Sequence, residues 1–168
     1  MKQYGNYYEE AFLLHRVFKY LFLIPLIGII VLVAYSGASQ VFVPKNIPLF
    51  IVAVIFSLLP FVMGRMTIEV KDAQLMITYG YLGWIKRNIS LSDIVSTEVV
   101  SYNPLRQFGG WGIRYGKFRE EKVACFSLSG NKGLLITITS TVKACGRQVN
   151  KFIVGCKEPE KLQSIVGK

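Results

Sequence analysis

The chain has 168 residues, a formal net charge of +10 and an apolar fraction of 52%. Setting aside the first 64 residues leaves 104 of the 168, room for one small domain with its own core. Three cysteines (Cys125, Cys145, Cys156) without CxxC spacing exclude a disulfide framework and a zinc site, and a single histidine, His15, with no GxSxG or HExxH, excludes the usual hydrolases.

In chain order, residues 4–19 come first. Tyr7, Ala11, Leu14 and Phe18 recur at helical spacing, and Tyr4, Tyr7, Tyr8 and Tyr20 are of the type that favours a headgroup zone. The lead 1–19 is therefore expected to hold a short interfacial helix, or the early start of the next one. Two apolar runs follow, Tyr20–Val43 and Ile47–Met63, and Lys45 is the only formal charge between Lys19 and Arg65. A bilayer core takes about 20 apolar residues per helix. The pattern predicts a transmembrane helical hairpin over 20–64. Lys2, Arg16 and Lys19 before it, and Arg65, Lys71, Lys86 and Arg87 after it, place both termini in the cytoplasm, in a multi-pass protein of the inner or plasma membrane. Neither run carries an ionisable side chain, which suits an anchor rather than a transport path. Ser36-Gly37-Ala38 has the small residues of a cleavage site, but Glu9, Glu10, Pro25 and the second apolar run argue against a signal peptide.

From Met66 the period shortens to two. Strands are expected at Met66–Val70, Gln74–Tyr79, Trp84–Leu91, Ile94–Val100, Val123–Leu128, Leu134–Thr139 and Gln148–Val154, with turns at Lys71-Asp72, Ser92-Asp93 and Gly130–Gly133. Glu158-Pro159-Glu160 opens a last helix that stops before Gly167. Seven short strands closed by one helix read as an antiparallel barrel or sandwich over 65–168.

This strand order, with "ISLSDIVSTEVV" at Ile89–Val100, "NPLRQFGGWGIR" at Asn103–Arg114 and "CKEPEKLQSIV" at Cys156–Val166, resembles bacterial pleckstrin-homology-like domains. The resemblance implies a seven-stranded, strongly bent sheet capped by the C-terminal helix, behind a pair of membrane helices. It implies no catalysis. The fold class expected is thus α+β: a transmembrane hairpin, then a PH-like antiparallel β-barrel or sandwich.

Gly109-Gly110-Trp111-Gly112 could cradle an anion, with Arg106, Arg114, Lys117 and Arg119 supplying charge, or could be a tight loop with Trp111 packed on the barrel. Phe108, Trp111, Tyr115 and Phe118 interleave with these cations, a mixture suited to a protein partner or a membrane interface. The candidate interaction loop is Arg106, Phe108, Gly109, Gly110, Trp111, Arg114, Lys117, Phe118 and Arg119. Arg65, Lys86 and Arg87 are the candidate lipid-facing cations. The segment 65–168 holds 16 basic and 8 acidic side chains, a balance suited to an anionic surface. The expected function is a non-enzymatic, membrane-anchored module that scaffolds a protein partner or its own copies. The alternative is an anionic-lipid sensor, and a small-molecule or transport accessory comes third. No cofactor, metal or nucleic acid is expected.

Overall fold

The computed structural model describes residues 6–12 and 64–167, with eleven scattered positions between 24 and 58. Among the described residues nine strands form two sheets. The first sheet is β1 (Tyr7–Phe12), β2 (Arg65–Lys71), β3 (Gln74–Tyr79) and β4 (Ile85–Ser90), in that order. The second comprises β5 (Ile94–Ser101), β6 (Gly112–Phe118), β7 (Glu121–Ser127), β8 (Lys132–Ala144) and β9 (Arg147–Gly155), ordered β5-β8-β9-β7-β6. A one-turn helix α1 (Pro104–Phe108) precedes β6, and α2 (Pro159–Val166) follows β9.

Local chemistry explains most of this. Alternation of apolar and polar residues puts Met66, Ile68 and Val70 of β2 and Leu75, Ile77 and Tyr79 of β3 on one buried face. Three hairpins close on two-residue turns whose residues are both left-handed: Asp72-Ala73, Arg119-Glu120 and Cys145-Gly146. Such turns match the twist of the strands they join. The main core lies between the sheets and includes Ile68, Ile77, Phe126, Leu134, Ile136 and Phe152, with Leu162 and Val166 of α2. Phe126 and Phe152 meet edge to face at 5.8 Å.

Four expectations are corrected. First, no helix among the described residues is long and apolar enough to cross a membrane. The predicted hairpin over 20–64 and the multi-pass membrane localisation therefore gain no support, and the fold is predominantly β; the rest of 20–64 lies outside the described residues. Second, Tyr7–Phe12 is a strand and not part of an interfacial helix. It pairs antiparallel with β2, from Tyr7 opposite Val70 to Phe12 opposite Arg65. A four-residue spacing such as Tyr7 to Ala11 satisfies a two-residue period as well as a helical one, so only the distant partner strand decides. Third, the strands number nine among the described residues, in two sheets. Fourth, the second sheet is mixed: β7 runs parallel to β9, with Ala124 opposite Phe152.

The β8–β9 hairpin changes how the sandwich closes. Its pairing breaks between Thr137 and Val142. Beyond that break the tip leans toward both sheet edges. Cys145 Sγ donates to Ile113 O of β6 at 3.1 Å, and Arg87 Nε of β4 donates to Lys143 O at 2.8 Å.

Candidate functional site

The predicted interaction loop is built from a helix, its stop and a strand. Asn103 caps α1: its Oδ1 accepts from the Arg106 amide at 3.0 Å, and its own amide donates to Gln107 Oε1 at 2.7 Å. Pro104 occupies the first turn. Gly109, at φ 72, ends the helix, and the Gly109 and Gly110 amides donate to Leu105 O and Pro104 O at 3.1 and 2.9 Å. The glycine pair is thus a helix stop, with its amides turned onto the helix's own carbonyls and away from any anion. Phe108 and Phe118 are buried with Val100, Tyr102, Val123, Cys125 and Ile153 in a second small core. Tyr102 and Phe108 meet edge to face at 6.0 Å.

The cations of this loop are partly engaged. Arg114 Nε donates to Trp111 O at 3.0 Å, and Trp111 Nε1 donates to Gly130 O at 3.4 Å. Arg119 forks onto Glu98 at 2.8 and 3.0 Å and lies 5.2 Å from the Phe118 ring centroid. Arg106 and Lys117 are exposed and hold no ion pair among the described residues. The structure therefore gathers Arg106 to Arg119 on one continuous segment, with its two phenylalanines turned inward.

The second predicted set is on the other sheet. Arg65 pairs with Glu10 and donates to Tyr8 Oη at 3.2 Å. The Tyr8 hydroxyl and then the Arg65 guanidinium hold the Glu10 carboxyl below its ordinary value. Arg87 bonds two carbonyls, Lys143 O through Nε and Lys86 O through Nη1, each at 2.8 Å. Lys86 is exposed.

The feature that sequence reasoning passed over is the β3–β4 turn. Tyr81, Leu82 and Trp84 are 54%, 64% and 71% exposed. Tyr79 opposite Ile85 closes the turn, and the Gly80 amide donates to Arg65 O at 2.7 Å. Gly80 and Gly83 take φ of 82 and 65, where a side chain would be strained. The signal was present in the sequence: Tyr81 and Leu82 lie between Gly80 and Gly83, and Trp84 follows at once, where polar residues are usual.

No protein-family model, curated protein or solved structure matches this chain. The pleckstrin-homology-like resemblance gains no support from them.

One other place could carry chemistry. A cleft of about 230 Å³ is lined by Glu9, Ala11, Ser129 to Lys132, Gly155, Cys156 and Lys157. Its carboxylate is already engaged: Glu9 accepts from the Lys157 amide at 2.7 Å and from the Tyr7 hydroxyl. Burial first, then that hydrogen bond to Glu9, raises the Tyr7 hydroxyl pKa. Burial pushes the Cys156 thiol up to about 12 and the Cys125 thiol up to about 11, so neither is a thiolate near neutral pH. Among the described residues no three His, Cys, Asp or Glu side chains gather as metal ligands. His15 lies outside the described residues.

Proposed function

We propose that this chain is a non-enzymatic docking module that binds a partner protein through the β3–β4 turn. The observation that carries the reading is the turn's composition. Five large apolar side chains between residues 64 and 167 are exposed, and three of them, Tyr81, Leu82 and Trp84, share this turn. Tyrosine and tryptophan dominate binding hot spots because they bury much area with few torsions to freeze. Covering each of these side chains stabilises a complex by on the order of 2 kcal/mol. Strand pairing on both sides and two left-handed glycines hold the turn in shape before binding, which reduces the entropy lost on docking.

A different protein suits the turn better than a second copy. A two-fold self-contact would set Lys86 and Arg87 against their own equivalents, and like charges oppose that. The anionic-lipid reading rested on the basic balance of 65–168 and on Arg65, Lys86 and Arg87, of which Arg65 is neutralised by Glu10.

The test is site-specific photo-crosslinking from position 82 of the full chain in an extract of its native cell. One adduct with a different protein is expected. Excess unlabelled wild-type chain should suppress it, and excess Leu82→Ser/Trp84→Ser chain should not. No adduct, an adduct of the chain with itself, or equal competition by both chains would overturn the proposal.

A further inference from the structure

We infer that the partner adds an extended segment of its own chain, as a further strand, to the free edge of β4 beside the turn. The inference rests on the docking reading and names the structure the partner presents. Strand β4 is the last of its sheet and pairs only with β3. Hydrogen bonds in an antiparallel pair engage every second residue, and the residues between point their amides and carbonyls the other way. The Leu91 amide donates to Ala73 O at 2.9 Å, which continues the β3–β4 register, so Ile85, Arg87 and Ile89 bond β3. The bond from the Gly80 amide to Arg65 O sets the complementary phase: Gly80, Thr78 and Met76 face β2, which leaves Tyr79, Ile77 and Leu75 for β4. The backbone groups of Lys86 and Asn88 therefore point outward, away from β3.

These outward groups have little to bond. Arg87 Nη1 caps Lys86 O at 2.8 Å, while Arg87 Nε reaches Lys143 O of the hairpin tip. Among the described residues no partner is found for the Lys86 amide or for the Asn88 amide and carbonyl. Both residues are exposed. The other sheet edges are each crossed by a further element. Glu9 of β1 accepts from the Lys157 amide, Thr97 O of β5 from Gln163 of α2, and Ile113 O of β6 from Cys145 of the tip. On β4 the crossing is made by the strand's own Arg87, and of the outward groups it covers Lys86 O alone. A row of unpaired amides and carbonyls at strand spacing is complemented by another extended backbone.

The edge is continuous with the exposed turn. Trp84 lies four residues before Asn88, about 13 Å at the rise of an extended strand, so a segment of about five residues covers both. The side chains of Lys86 and Asn88 stand on the sheet's solvent face, opposite the buried Ile89. What β4 offers is therefore its backbone and not an apolar surface. Main-chain bonds along the edge contribute affinity whatever the partner's sequence, and the apolar turn selects the side chain that sits on it. Arg87 opposes indiscriminate pairing, since a cation along an edge strand disfavours the approach of an unselected strand.

The photo-adduct formed from position 82 of the full chain in native extract is the material for the test. In the free chain the Lys86 and Asn88 amides should exchange fast, while those of Arg87 and Ile89 stay protected. In the purified adduct both outward amides should slow at least about tenfold, because each gains a strand hydrogen bond. Unchanged exchange at both would overturn the inference. A second arm uses Asn88→Pro, which leaves the β3 ladder whole but removes the outward donor and sets a ring in the path of an incoming strand. The adduct yield from position 82 should then fall at least about tenfold through the lost pairing. Thiol labelling confined to the exposed Cys145 shows that the variant folds. A full yield from folded Asn88→Pro would overturn the inference. If labelling spreads to the buried Cys125 and Cys156, the variant has unfolded and the exchange measurement on the wild-type adduct decides. The two proposals fail differently: no adduct from the wild-type chain removes the docking reading and this inference with it, whereas an adduct with fast Lys86 and Asn88 amides removes the added strand alone.

Discussion

Arg87 is the sharpest point at which to perturb this molecule. Its guanidinium donates to Lys143 O at 2.8 Å, which ties the free edge of the first sheet to the hairpin tip of the second, and also to Lys86 O of its own strand at 2.8 Å. Arg87→Lys keeps the charge and most of the stem but loses the planar fork, so one ammonium cannot reach two carbonyls in this geometry. A hydrogen bond from a charged donor contributes about 1.5–3 kcal/mol where water is excluded, and partial exposure here cuts that to about 0.7 kcal/mol apiece. The pair therefore stabilises the fold by about 1.5 kcal/mol, equivalent to about 3–6 °C in Tm for a chain of this size. Arg87→Lys and Arg87→Ala should both show most of that loss in chemical denaturation. Amide exchange should speed up selectively at Val142 to Arg147, the tip that loses its tether, while pairing between the bodies of β8 and β9 stays protected at Leu134 to Thr137. If Arg87→Lys matches wild type in stability and in exchange at the tip, the fork has no structural role and the reasoning fails.

Two further predictions use the titrating groups. Cys125 and Cys156 are buried and Cys145 is exposed, so a thiol reagent at about pH 8, near the ordinary thiol range, should label one site in the native protein and all three after denaturation. Rapid native labelling of Cys125 or Cys156 would contradict the packing. Glu10 titrates below its ordinary value of 4.5 because the Tyr8 hydroxyl and Arg65 favour its ionised form. A lowered carboxylate contributes stability that is present above the unfolded-state pKa and is lost as pH falls through the folded value. Thermal scans below about pH 4.5 should therefore show an acid-side decline that is shallower in Glu10→Gln; identical slopes would remove Glu10 from the account.

The β2–β3 hairpin was legible but for one residue of its turn, expected at Lys71-Asp72 and found at Asp72-Ala73: the alternating apolar residues and the turn lie close together in the chain, and both signals are local. The last helix was legible for the same reason, through Pro159 and the acidic residues beside it. β1 was not, because Tyr7 and Ala11 fit two periods and their partner strand begins only at Arg65. Nor was α1, too short for a helical period, although Asn103, Pro104 and Gly109 were its cap, first turn and stop. Phe108 and Phe118 looked like interaction residues from composition, yet each side chain found a second small core on the far side of the mixed sheet.

Charge, hydropathy period and turn residues determine which segments of this chain become strands, and they act over a few neighbours, so the sequence carries them openly. The order β5-β8-β9-β7-β6, the parallel β7–β9 pair and the meeting of Arg87 with Lys143 depend on contacts between residues far apart in the chain. Those were decided only when the two sheets packed. The same packing turned Phe108 and Phe118 inward and left Tyr81, Leu82 and Trp84 outside, because an apolar side chain is buried by the surface that reaches it and not by its own hydrophobicity.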